Sequence, residues 1–293
     1  MKRRGKGSTV PVLIVLLAIL VIWYAATIWL NAPWQLDIYQ RNHVASWSPT
    51  QFVADTWNQD RPVLPSPHQV AVELWKTTAV VPVGSKKSLI YHAWVTLSAT
   101  LLGFAMGSVL GILLAVFIVH NNAMDRSLMP WIVASQTVPI LAIAPMIIVV
   151  LNAVNVTGLL PKSLISTYLS FFPVVVGMVK GLRSTEQLQL DLMHTYNASR
   201  LQTFFKLRWP TALPYLFTSM KIAVAASLVG AIVGELPTGA VAGLGARLLG
   251  GSYYGQTVQI WSALFAASIL AGLLVIAVGI IERLVVRRMG ARP

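Results

Sequence analysis

The sequence predicts an all-α integral membrane protein of six transmembrane helices with a two-helix loop held on the cytoplasmic side. Composition is the first reason: 56% of the 293 residues are hydrophobic and only 11% are charged, against about 25% charged in soluble domains. The second is that apolar runs long enough to cross ~30 Å of hydrocarbon recur along the chain. The third is one long polar interruption, Arg183–Pro214, in a second half whose other breaks are mostly short.

Six spans are expected, at about Val10–Leu30, Ala93–Val119, Leu128–Leu151, Ser163–Val179, Tyr215–Leu236 and Val258–Ile281. The first follows Lys2, Arg3, Arg4 and Lys6, as a cleaved signal peptide would. Its apolar core is too long for that and no small-residue cleavage site follows it. Residues 1–30 therefore read as a retained anchor helix, with Trp29 and Trp34 as interfacial anchors. Residues 31–92 form an external segment. Within it Ser66, Pro67 and Gln69 mark a helix start, and the helix runs to about Thr78 with Val70, Leu74 and Trp75 on one side. That side either lies on the outer membrane surface or packs on the protein's own loops.

Residues 93–282 make the core and 283–293 a tail. Gly103, Gly107 and Gly111 give two consecutive GxxxG steps, which let a second helix backbone approach. Pro139 and Pro145 interrupt the third span just after Gln136 and Thr137, and a broken, polar-tinged helix suits a cavity lining. Gln136, Thr137, Pro139, Asn152, Tyr168 and Glu235 are the candidate lining residues of such a cavity. Glu235 closes the fifth span; it is either a functional acid or a carboxylate bonded to the glycine-rich loop that follows. No span centre supplies a fixed cation, which favours a small neutral or aromatic solute.

Lysine and arginine placement sets orientation. The N-terminal tail carries four, the 183–214 break four (Arg183, Arg200, Lys206, Arg208), and the C-terminal tail Arg283, Arg287, Arg288 and Arg292. The connections 152–162 and 237–257 carry one each, Lys162 and Arg247. Both termini and the break then face the cytoplasm. The formal charge of +13 is used up by this asymmetry, and no basic face interleaved with aromatics suggests nucleic acid. With no cysteine and five scattered histidines, neither thiol chemistry nor a metal site has support. No phosphate-binding glycine loop and no grouped catalytic residues are found, so the chain is read as a non-enzyme.

The break itself reads as two short helices. Ser184 with Gln187 and Ser199 with Gln202 fit N-caps and their reciprocal partners, and Asn197 sits where a left-handed residue would close the first helix. Leu201, Phe204, Phe205 and Leu207 share one side of the second.

This stretch resembles the cytoplasmic loop of permease subunits of ATP-binding-cassette importers. That loop carries Glu-Ala-Ala, three residues, Gly, nine residues, Ile, one residue, Leu-Pro. Here Asp191-Leu192-Met193, Asn197, Leu207 and Trp209-Pro210 occupy those places at the same spacing, with departures at Leu192, Met193 and Trp209. Leu64-Pro65-Ser66-Pro67, Thr137-Val138-Pro139 with Ala144-Pro145, Ala198-Ser199-Arg200, Leu213-Pro214, and Gly243-Leu244-Gly245 after Gly234-Glu235 are similar to the nitrate/sulfonate/taurine branch, in the same order. The likeness runs from about Leu64 to the C-terminus.

The resemblance implies a type I importer permease in a bacterial inner membrane, paired with a second copy to form a homodimer. It implies two cytoplasmic ATPases that hold the ATP and Mg, an external binding protein, and no cofactor in this chain. Asp191, Tyr196, Asn197, Ala198, Ser199, Arg200, Phe204, Phe205 and Pro210 would form the ATPase-coupling surface. The cargo would be a nitrate-, sulfonate- or taurine-like anion or a pyrimidine-type heterocycle. A stand-alone secondary transporter or channel is the alternative; it predicts inverted repeats and mid-membrane ionisable residues.

Overall fold

The computed structural model describes residues 9–44, 46–237 and 242–289. Among these residues five helices are long and apolar enough to span a membrane, or six if a bent pair is one span. The chain forms two units, one of residues up to Ile90 with Arg247–Ala266, the other of Tyr91–Ala246 with the residues from Ala267 onward.

In the first unit α1 (Thr9–Arg41) continues well past the expected end at Leu30, through Pro33. A polar knot holds the following segment to it. Asn31 is fully buried. Its Nδ2 donates to the carbonyls of Thr56 and Leu64 (both 3.0 Å), and its Oδ1 accepts from the backbone N–H of Val63 (2.9 Å) and Leu64 (3.1 Å). Gln59 Nε2 donates to Gln35 Oε1 at 2.8 Å. One amide thus satisfies four backbone groups that would otherwise be buried unpaired. Helix α2 (Pro49–Trp57) packs here, and α3 (Pro67–Trp75) starts where Ser66 and Gln69 predict, Gln69 Oε1 accepting from Ser66 N–H at 3.1 Å. It continues as a π-turn over Lys76–Val80.

One side of α3 faces α1. Val70 is buried, and Val70, Ala71 and Leu74 line an apolar groove with Leu16, Ile19 and Trp23. Trp75 does not share that side and stays exposed, as do Trp29 and Trp34. Arg247 sits 3.7 Å from Glu73. Burial lowers its guanidinium below the ordinary value, and the Glu73 charge opposes that.

In the second unit α4 (Leu89–His120) crosses α7 (Leu159–Arg183), and α10 (Trp209–Glu235) packs along α7. The glycine reading holds at this crossing. Cβ atoms added at Gly103 and Gly107 would strike Ser166 and Ser170, and one at Gly111 would lie 2.8 Å from Val174 Cβ. Four-residue steps on α4 thus meet four-residue steps on α7. The close approach also satisfies hydroxyls: Ser170 Oγ and Thr167 Oγ1 each donate to Gly103 O at 3.2 Å.

The third span is not one rod. Helices α5 (Asn122–Ser135) and α6 (Ile140–Ala153) meet at 98° around Gln136–Pro139. Pro145 lies inside α6 without breaking it, so only one of the two expected interruptions is a break. Lys221, six residues past the start of the expected fifth span, is a cation that the reading of the span centres did not weigh. It lies inside α10 and is paired at 2.5 Å with Glu282 of α12 (Thr257–Arg288), the helix that follows the short α11 (Leu244–Tyr253).

Candidate functional site

Two constructions draw attention, one at each end of α10. The first is the loop from Arg183 to Pro214. Ser184 caps the end of α7, its Oγ donating to Gly181 O at 2.7 Å, and is therefore not the N-cap of the next helix. Glu186 takes that place before α8 (Gln187–Thr195), because two further residues are needed to turn the chain. Asn197 has φ 50°, the left-handed conformation expected of it. Ala198 N–H donates to Met193 O at 3.0 Å and Asn197 N–H to His194 O at 2.9 Å, the paired bonds of a Schellman closure. Ser199 then opens α9 (Arg200–Thr203) with both capping-box bonds, Gln202 N–H to Ser199 Oγ at 3.2 Å and Ser199 N–H to Gln202 Oε1 at 2.8 Å.

The second short helix does not end. A π-turn over Phe204–Arg208 carries it into α10, so that Arg200–Glu235 is one apolar-rich helical run. The wider turn lets Trp209 N–H reach Phe204 O five residues back, and Pro210, which has no N–H to give, falls at the start of the α-helical register.

The aromatic pair divides. Phe204 is 9% exposed and belongs to this chain's own core with Ile118, Met178 and Leu182. It also touches His120, Phe205 and Trp209 edge-on or tilted. Phe205 is 62% exposed and Tyr196 77%. Leu188, Leu192 and Leu201 are exposed too, and nothing on α8 is buried. Asp191, Asn197, Ser199 and Arg200 are exposed, Ala198 and Pro210 half-buried. Asp191 accepts from Gln187 Nε2 at 3.0 Å. The loop therefore presents an apolar, aromatic surface that its own fold does not cover. On α8, Leu188 was not singled out in the sequence and Leu192 only as a departure from the loop motif, although their four-residue spacing was visible.

The second construction surrounds Glu235, which is 0% exposed. Thr96 Oγ1 lies 2.9 and 3.0 Å from its two oxygens, and Gly245 N–H donates to Oε2 at 2.7 Å. Thr96 in turn accepts from Leu244 N–H at 2.8 Å, and His92 Nδ1 accepts from Gly243 N–H at 3.0 Å. Gly243 has φ +127°, and a Cβ there would fall on the carboxylate. The carboxylate is thus bonded to the glycine-rich loop, the second of the two alternatives, and presents no surface to a passing solute in this conformation.

Of the other candidate lining residues, Gln136, Thr137 and Pro139 stand at the α5–α6 bend, Thr137 and Pro139 exposed. Tyr168 reaches the same place by donating to Ser135 O. Asn152 is exposed near the far end of α6 and does not join them. Among the described residues no three His, Asp or Glu side chains group to hold a metal ion.

A sequence model described as "Binding-protein-dependent transport system inner membrane component" matches residues 107–291. The chain is 32% identical over 225 residues to the riboflavin transport system permease protein RibX of Chloroflexus aurantiacus, covering 77% of this chain and 80% of that one. It is 34% identical over 184 residues to the formylaminopyrimidine transport permease protein ThiX of Halalkalibacterium halodurans, covering 62% and 68%. Among solved structures, inward-facing MetNI methionine ABC transporter is similar with a TM-score of 0.59 at 20% identity, over 67% of this chain and 95% of that one.

Proposed function

The chain belongs to the binding-protein-dependent transport system inner-membrane components, and from that premise we propose how this permease subunit of an ABC importer works. It is an integral inner-membrane protein that moves a small solute. The 183–214 loop projects into the cytoplasm, with both termini on the same side, and an ATPase grips it there. ATP and Mg belong to that partner. A second copy of the chain completes the path, and an external binding protein supplies the solute.

One observation carries the docking reading. The loop is rigidly closed by a Schellman bond pair and a capping box, yet leaves Tyr196, Leu201 and Phe205 exposed. A mobile loop would not need such closure, and a self-contained one would bury those rings. Phe205 and Tyr196 replace Phe204 as the anchors, since Phe204 already fills its own core. Asp191, Asn197, Ala198, Ser199, Arg200 and Pro210 shape the loop around them. Coupling requires the ATPase to hold one permease conformation more tightly than the other.

The cargo we infer is an aromatic heterocycle of pyrimidine or larger size. The relatives above 30% identity named for a solute carry riboflavin or formylaminopyrimidine in their names, while those named for nitrate, sulfonates and bicarbonate lie at 22–26%. Among the described residues Lys221, inside α10, is already neutralised by Glu282. Gln136, Thr137, Pro139 and Tyr168, with Asn152 farther along, are the proposed path.

The test is uptake into vesicles containing the chain with its ATPase and binding protein. A pyrimidine or flavin is expected to enter in preference to nitrate, and Tyr196→Ala with Phe205→Ala to stop entry and release the ATPase. Each anchor is worth about 2 kcal/mol if buried in a partner groove. Unchanged ATPase binding by the double variant would overturn the docking reading; nitrate preference would overturn the cargo.

A further inference from the structure

Between the end of α4 and the 183–214 loop lies a cleft of about 350 Å³ walled in part by His120, His194, Arg200, Thr203, Phe204 and Arg208. No carboxylate lines it. Its charge is not balanced locally. Arg183, nearby in sequence, is paired with Asp125 at 2.8 Å, but among the described residues neither Arg200 nor Arg208 makes an ion pair. His120 Nδ1 donates to Val116 O at 2.8 Å, which fixes the ring at the mouth of α4 and leaves Nε2 uncommitted to that bond. Phe204, held in the core, gives the cleft an apolar wall.

We propose that this cleft binds a phosphate group, either the headgroup of an anionic phospholipid or free phosphate. Two guanidinium forks match a phosphate's oxygens with paired N–H donors. Gathering cations without a counter-charge is unfavourable through mutual repulsion, and a bound anion relieves it. The level is right for a headgroup: His120 is the last residue of α4, and Arg208 immediately precedes the apolar α10. Basic pockets at the cytoplasmic ends of spans meet the anionic leaflet. The orientation proposed above decides only which leaflet supplies the lipid; the site itself stands without it and without the ATPase.

The experiment uses the purified full chain in nanodiscs of phosphatidylcholine, with and without phosphatidylglycerol, read by native mass spectrometry, and titrations of inorganic phosphate in detergent. Wild type is expected to retain phosphatidylglycerol in preference to phosphatidylcholine. The Arg200→Gln/Arg208→Gln double variant is expected to lose that retention roughly tenfold or more. Phosphatidylglycerol retention displaced by phosphate assigns the headgroup; saturable phosphate binding without lipid preference assigns the free anion, and both support the site. Retention equal in wild type and variant, with no phosphate binding, overturns it. So does a variant that keeps its lipid but loses the ATPase, because the cleft would then receive an acidic protein segment. If the double variant does not fold, Arg200→Glu at its exposed position gives the same reading.

Discussion

Thr96 has one proton to donate and a lone pair to accept with, and both are committed around Glu235: one to the carboxylate, the other to Leu244 N–H. Thr96→Val keeps the shape and removes both bonds. A buried carboxylate and a buried N–H lose a partner at once, a loss of about 2 kcal/mol or more. Gly243→Ala should cost more, since the new methyl meets the carboxylate and the backbone is in a region that only glycine enters freely. Thermal unfolding in detergent checks both, and the order of the two variants is part of the prediction. Sequence could mark Glu235 as unusual but could not choose its role, because Thr96 lies 139 positions away. Asn197 was the opposite case: its left-handed turn is a local matter, and the spacing around it was sufficient to read it. Phe204 and Phe205 look alike in sequence and differ in what the ends of α4 and α7 bring beside them.

At the scale of elements, packing of small residues decides where helices can cross. Gly107→Leu would drive a branched side chain into Ser170 and the backbone of Phe171, whose nitrogen would lie 3.1 Å from the first added carbon. Overpacking of a fitted crossing costs roughly 1–3 kcal/mol, and here a backbone stands in the way, so the upper end or beyond is expected. Gly272 on α12 has nothing within 4 Å of such a carbon. Gly272→Ala should leave the melting temperature unchanged or raise it slightly, as a helix interior prefers alanine. Equal losses for the two variants would show that glycine itself, and not the α4–α7 contact, matters. The α4 repeat was legible because four-residue spacing is periodic; its partner Ser166, Ser170 and Val174 is equally regular but far less conspicuous. The 98° bend was legible as a break, whereas its angle is set by packing that no local pattern encodes.

For the molecule as a whole, apolar runs mark where the long helices lie, and lysine and arginine placement serves to propose their orientation. What they do not convey is how firmly each span is held. Only 11% of the apolar window of α12 is buried, against 56% for the run ending in α10. The Lys221–Glu282 pair bonds these two helices, and a Cβ added at Gly279 would meet the lysine stem at an ordinary 3.7 Å from Cε. Both side chains are partly exposed, 34% and 22%, so loss of either should cost on the order of 1–2 kcal/mol. Lys221→Met with Glu282→Met should be milder than the sum of the singles, since no charge is stranded. A double-mutant cycle on thermal stability measures this, and strict additivity would refute the pair.

The helical run from Arg200 to Glu235 has 36 residues, about 54 Å at 1.5 Å per residue. Its lower tip lies in the exposed loop, and its upper tip grips Gly245. A rod of that length has two evident places to flex, the wide turn at Phe204–Arg208 and Pro214 inside α10. A rotation applied at the loop tip is therefore shared between those two places and the far tip, where Glu235 holds the N–H of Gly245.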